Sequence, residues 1–150
     1  KNNETKTSTG KTAVIFYITS KGDFYVRNSD DYMAKMLSLA GGKYIMDGKV
    51  GVGKTGTTKM EAESFFDLAK DADEIIYVWS TGGKPSTLND LLAKNSVLAD
   101  MKAVKEGNVW CTTPDFFQIS NTIGNIINDM NSVFSADASA DKFTYLYKLK

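Results

Sequence analysis

The sequence predicts an α/β domain, a three-layer αβα sandwich whose mostly parallel sheet opens with an N-terminal β-hairpin. Three observations carry this expectation. Short β-branched and aromatic runs recur at residues 13–18, 24–26, 75–79 and 109–112. Segments with apolar residues at helical spacing separate most of them. The run at 75–79 is apolar on both sides of the strand, as a strand covered by helices on both faces must be. At 150 residues and 42% apolar composition, the chain suits one domain with a single core.

Residues 13–18 and Phe24, Tyr25 and Val26 are the first two strands. Lys21, Gly22 and Asp23 supply the turn between them, so the pair forms a hairpin, expected at one edge of the sheet. Ser29 or Asp30 caps the next helix, in which Met33, Met36, Leu37 and Ala40 share a face, and Gly41 and Gly42 end it in the left-handed conformation. Tyr44, Ile45 and Met46 form a short strand, and residues 48–58 read as a Gly- and Thr-rich loop. Thr58 and Glu61 have the spacing of a capping box, after which Ala62, Phe65, Phe66 and Ala69 mark a helix ending near Asp71.

The run at 75–79 is expected at the centre of the sheet. Thr87 caps a helix carrying Leu88, Leu91 and Leu92, a further short helix covers residues 97–101, and the strand at 109–112 follows Gly107. The last long helix shows one apolar stripe through Ile119, Ile123, Ile126, Ile127, Met130, Val133 and Phe134. Residues 136–141 are a polar break. Beyond it Phe143, Tyr145 and Tyr147 alternate as in a strand, while Leu146 and Leu149 also fit a helical turn, so both conformations stay open. Residues 1–11 are polar and read as a linker or the end of a preceding helix, with the domain proper at 12–150.

Charge and composition exclude several functions. Lysine plus arginine total 18 and aspartate plus glutamate total 18, so no net charge draws the chain to nucleic acid or an anionic membrane. There is no histidine, which removes the commonest soft-metal ligand and the usual general base of a serine or cysteine nucleophile. No metal site, no cofactor and no catalytic residue is expected. The one cysteine, Cys111, follows Val109 and Trp110 in an apolar run and reads as a buried, inert thiol. No apolar run approaches the roughly 18 residues of a membrane span, and the polar start lacks the apolar core of a signal peptide.

Gly48, Gly53, Lys54 and Thr55 match the G-x-x-x-x-G-K-[ST] pattern of a loop that cradles phosphates, which taken alone predicts a nucleotide-binding enzyme. That chemistry needs a helix starting at the motif, because the helix N-terminus supplies much of the anion binding. Here the capping signal falls at Thr58, three residues too late. No acid that would hold Mg²⁺ ends the run at 75–79, which leads into Ser80, Thr81 and Gly82.

Three stretches together resemble one family. Residues 31–45, with Ala40-Gly41-Gly42 before a short apolar strand, are similar to a helix and strand of class III substrate-binding proteins of ABC importers. Residues 63–76, with Glu63 and Asp73 before Ile75, and residues 102–110, with Ala103-Val104-Lys105 and Gly107, resemble two further segments in the same order. The resemblance covers nearly all of residues 12–130 and corresponds to the second lobe. It implies two α/β lobes joined by a long helix, a ligand held between them, and a membrane permease docked on their tips. The implied ligand is an iron chelate, haem or a corrinoid. The implied location is the periplasm or a lipid-anchored position at the cell surface, and the implied state is a monomer.

The candidate ligand-binding residues follow from strand ends and from this resemblance. Asp115, Phe116, Phe117 and Gln118 come after a strand and before the long helix, the position where open α/β sheets hold ligands, although Asp115 also suits a helix start and the phenylalanines a core. Trp79, Ser80 and Thr81 end the central strand; Trp79 fits a core position equally. Tyr25 and Arg27 share one side of a strand, where Arg27 is placed either to pair with an anionic chelate or to sit exposed. Glu63 matches the family's acidic residue that meets permease arginines, with Glu61 as the alternative. A surface interaction module without a transport role is the remaining competing function. Zinc or manganese uptake is disfavoured because this half supplies no histidine.

Overall fold

The computed structural model describes residues 11–19, 21–39, 41–54, 56–78, 87–112 and 146–149. The expected long helix at 119–134 lies outside the described residues. Within the described residues seven strands form one sheet: β1 (Thr12–Ile18), β2 (Phe24–Arg27), β3 (Lys43–Tyr44), β4 (Thr57–Met60), β5 (Glu74–Tyr77), β6 (Val109–Thr112) and β7 (Leu146–Lys148). Their order is β4-β2-β1-β5-β6-β7, with β3 also paired to β1. β1 runs parallel to β3 and β5, and β5 to β6, whereas β2 is antiparallel to β1 and β4, and β7 to β6. Thus β1, β3, β4, β5 and β6 share one direction, and the sheet is mostly parallel.

Among the described residues, four helices and a 3₁₀ turn lie between the strands: α1 (Tyr32–Leu39), α2 (Ala62–Ala69), α3 (Leu88–Leu92), the 3₁₀ turn Ser96–Asp100, and α4 (Lys102–Glu106). Among the described residues no helix is long and apolar enough to cross a membrane. The core lies on β1, where Ala13, Val14, Ile15 and Phe16 are fully buried. Phe16 meets Phe65 of α2 at 4.5 Å between ring centroids and Tyr77 of β5 at 5.6 Å edge-on, and Phe24 of β2 meets Phe65 at 4.6 Å. These four rings fix α2 against the β2, β1 and β5 strands of one sheet face, each pair adding to simple area burial.

Several local expectations are corrected. The hairpin is present, with Tyr17 opposite Tyr25, but β4 pairs outside β2, so the hairpin is not at the edge. Thr58 lies in β4, its hydroxyl donating to Asn28 Oδ1, and therefore caps nothing. The helix begins at Ala62, with Glu61 in the N-cap position but with no side-chain cap bond. α1 is capped by neither Ser29 nor Asp30 but by Asp31, which accepts from the Met33 N–H at 3.0 Å. The strand expected at 44–46 is shifted to Lys43–Tyr44, and residues 45–49 turn instead. Elsewhere the reading holds. β5 is central, between β1 and β6, and Thr87 and Asp90 form a full capping box on α3. Of the two conformations left open for the chain end, the strand is found, as β7. Cys111 is buried, as its apolar run suggests.

Candidate functional site

In a parallel α/β sheet the carboxyl edge collects the loops that follow the strands, and this is where ligands are held. Here β1 ends at Ile18, β5 at Tyr77 and β6 at Thr112. Tyr77 joins two of these ends. Its phenol donates to the Ile18 carbonyl and accepts from the Ile18 N–H, both at 3.2 Å. Burial raises the Tyr77 pKa, opposed by the hydrogen bond to Ile18 and reinforced by Cys111 nearby, so the phenol stays a neutral donor and acceptor. The Lys94 ammonium lies 6.0 Å from the centroid of the same ring.

On the opposite face of the sheet Tyr25 stacks on its cross-strand partner Tyr17, with centroids 5.2 Å apart and planes within 4°. Both rings are half-buried, and they form a flat shelf one residue from the end of β1. Arg27 sits elsewhere. Its register partner on β4 is Thr57, and it lies three residues along β2 from Phe24, the partner of Ile18, which is about 10 Å back from the carboxyl edge. Its side chain, only 14% exposed, pairs with Asp31 at 3.4 Å and lies over the Tyr32 ring at 5.9 Å. The guanidinium is thus engaged within the fold. Burial, eased by the Arg27 charge and reinforced by Asp31, raises the Tyr32 phenol.

Trp79, Ser80, Thr81, Asp115, Phe116, Phe117 and Gln118 lie outside the described residues. The buried residues Val78 and Thr112 lead into those two segments at the carboxyl edge. Glu61 and Glu63 are exposed at the start of α2, and β4, running parallel to β1, delivers them to this same edge. Among the described residues no three histidine, cysteine, aspartate or glutamate side chains group as metal ligands do. A groove of about 350 Å³ lies between α2 and α4, lined by Phe66, Lys70, Asp71, Asp100, Lys102, Lys105 and Glu106. It opens where the helices lead into β5 and β6, at the amino edge, away from the strand ends.

The glycine-rich loop does not bind phosphate in the manner of its motif. A strand, β4, follows it where a helix is required. Several amides in and beside it are taken by the protein's own groups. Gly53 N–H donates to Asp30, Gly56 N–H to Asp31 at 2.8 Å, and Gly48 N–H to Ser29 Oγ at 3.1 Å. Ser29 Oγ also lies 2.9 Å from the Met46 carbonyl and 2.8 Å from that of Val50. Asp30 thus takes a motif amide that a phosphate would need, and its negative charge opposes an anion there.

The sequence reading named Tyr25 but not its stacking partner Tyr17, nor Tyr77 and Lys94 near the strand ends. Period-two alternation was the available signal for Tyr17. Tyr77 carried no signal beyond its place in an apolar run, and Lys94 none at all.

An open, mostly parallel sheet with aromatic residues gathered at its carboxyl edge defines an α/β lobe of the kind that presents a ligand at strand ends. The chain belongs to the periplasmic binding protein family, which matches residues 2–116. It is 29% identical, over 91% of its length, to an uncharacterized lipoprotein of Methanocaldococcus jannaschii, and spans about a third of that relative. Among solved structures it is similar to a periplasmic heme binding protein from Pseudomonas aeruginosa, with a TM-score of 0.73 and 14% identity over 94% of this chain and 48% of that one. It is also similar to an ABC-type Fe3+-hydroxamate transport system from Saccharomonospora viridis, with a TM-score of 0.65 and 15% identity over 85% and 42% of the two chains. These structural likenesses establish a shared fold.

Proposed function

We propose that the chain is the second lobe of the solute-binding component of an ABC importer. It holds an iron chelate, haem or a corrinoid in a cleft between two lobes and docks on a membrane permease through Glu63, with Glu61 as the alternative. The observation that carries the reading is the family match combined with the aromatic carboxyl edge. The Tyr17–Tyr25 shelf offers a flat surface suited to a large planar or aryl ligand. Several structural relatives are named as heme or siderophore binders, which supports this ligand class. The lipoprotein relatives support a position outside the cytoplasmic membrane.

Arg27 is a weak ligand contact on this geometry because Asp31 already neutralises it. The residues at 79–81 and 115–118 remain part of the proposed cleft because the strands leading to them end there. The nucleotide-enzyme reading is disfavoured, since Asp30 takes the Gly53 amide and a strand follows the loop where a helix is required.

The test is titration of the full two-lobe protein with ferric siderophores, haem and cobalamin, followed by tryptophan fluorescence. Saturable quenching by one of them is expected, weakened about tenfold or more by Tyr25→Ala, the loss expected when one base-sized aromatic contact is removed. Silence towards every chelate, or binding of ATP with Mg²⁺ that Lys54→Ala abolishes, would overturn the proposal.

A further inference from the structure

We propose that Lys94 supplies this lobe's counter-charge to the ligand, which makes the ligand a chelate with net negative charge facing the carboxyl edge. The inference rests on the solute-binding reading above and adds the chemical class of what is bound.

The position of the Tyr77 ring is fixed. It is the last residue of β5, and its phenol clasps both backbone polar groups of Ile18, the last residue of β1. The ring therefore reaches the carboxyl edge. The Lys94 ammonium stands 6.0 Å from its centroid, while its own backbone N–H is held by the Leu91 carbonyl at 3.0 Å just after α3. Lysine at the edge of an aromatic face gains electrostatic attraction from the ring.

That attraction offsets only part of what partial burial costs an ammonium, and a half-buried cation ordinarily has a carboxylate beside it. Among the described residues the ion pairs are Arg27 with Asp31, Lys59 with Asp23 and Lys102 with Asp73, and none uses Lys94. Lys94 is thus a positioned cation at the proposed cleft, whereas Arg27, which the strand pattern places either against the ligand or in solvent, is committed inside the fold. An anionic group on the ligand would complete a charge-assisted hydrogen bond at Lys94.

Two kinds of chelate carry such charge. One bears carboxylates, as haem and hydroxycarboxylate complexes do; the other bears charge on catecholate oxygens around the metal. Haemin, ferric dicitrate and a ferric tris-catecholate, titrated separately, tell these apart, with a neutral ferric trihydroxamate as the uncharged comparison. The two-lobe protein is used, as wild type, Lys94→Met and Lys94→Arg.

The wild type is expected to prefer an anionic chelate. Lys94→Met should lower that affinity about tenfold and flatten its dependence on salt, and Lys94→Arg should restore most of it. Unchanged affinity for the anionic chelate in Lys94→Met, or preference of the wild type for the neutral trihydroxamate, would overturn the assignment while leaving the solute-binding reading intact. Failure of every chelate to bind the wild type overturns both.

Discussion

Asp31 shows how one buried side chain can hold three parts of a fold. It caps α1 through the Met33 N–H, anchors the glycine-rich loop through the Gly56 N–H at 2.8 Å, and pairs with Arg27 at 3.4 Å, all while 2% exposed. Asp31→Ala removes the cap, worth about 1 kcal/mol, and strips a largely buried guanidinium of its carboxylate, worth about 3–5 kcal/mol. We expect urea unfolding to show a loss near the upper end of that range. Arg27→Met should cost much less, because Asp31 keeps two backbone amides as partners. Equal losses for the two variants would refute this ordering. The loop itself offers a paired comparison. Gly51 and Gly53 both adopt left-handed backbone, at φ 56° and 78°, but a Cβ on Gly51 would sit 2.1 Å from Asn28 Oδ1 while one on Gly53 meets open space. Gly53→Ala is expected to cost about 1 kcal/mol from backbone strain alone, and Gly51→Ala distinctly more, since Asn28 is buried and bonded to Thr58 and cannot give way freely. Denaturation midpoints of the two alanine variants decide this.

At the scale of elements, the junction of β1, β5 and α4 is held by Asp73. Its carboxylate accepts from the Thr12 N–H at 2.9 Å and Thr12 Oγ1 at 3.3 Å, and Lys102 of α4 pairs with it. Partial burial pushes the Asp73 carboxyl up, but the hydrogen bonds from Lys102 and Thr12 outweigh it and hold it below the usual aspartate range. A carboxylate whose folded pKa is depressed stabilises the fold above its unfolded pKa of about 3.9, and that stability is lost as pH falls through the folded value. Asp73→Asn should therefore flatten the stability curve below about pH 4 and leave its shape near neutrality unchanged. Acid titration of the unfolding free energy measures this, and an unaltered acid limb would refute it. Elements were legible where local and tertiary preferences agreed. Thr87 and Asp90 form the capping box their spacing suggests, because nothing competes for the Thr87 hydroxyl. Thr58 and Glu61 have the same kind of spacing but fail, because Val26 pairs with Thr58 across the sheet and Asn28 takes its hydroxyl. Strand pairing is a tertiary event that local spacing does not encode. The same reason hid Lys94, whose place beside Tyr77 depends on how α3 returns to the sheet.

At the scale of the whole molecule, the two edges of the sheet are chemically different. The amino edge bears the Asp73 junction and the charged groove beside α2 and α4, whereas the carboxyl edge brings together the tyrosine shelf, Lys94 and the start of α2. Because β4 runs with β1, it carries Glu61 and Glu63 to the carboxyl edge, so on the proposed reading a permease and a ligand would address the same end of the lobe. This arrangement separates two readouts. Glu63→Arg reverses an exposed charge in the first turn of α2, where opposition to the helix dipole costs a few tenths of a kcal/mol, so the fold should survive. Chelate affinity of the two-lobe protein should be unaltered, because Glu63 is exposed and the tyrosine shelf lies on the sheet face opposite α2. Permease-dependent uptake should fall about tenfold or more, chiefly through slower association, and the fall should shrink at high salt where charge steering is screened. Glu61→Arg should have the smaller effect if Glu63 is the docking residue, and the larger if Glu61 is. Uptake indifferent to both reversals would remove α2 from the docking surface.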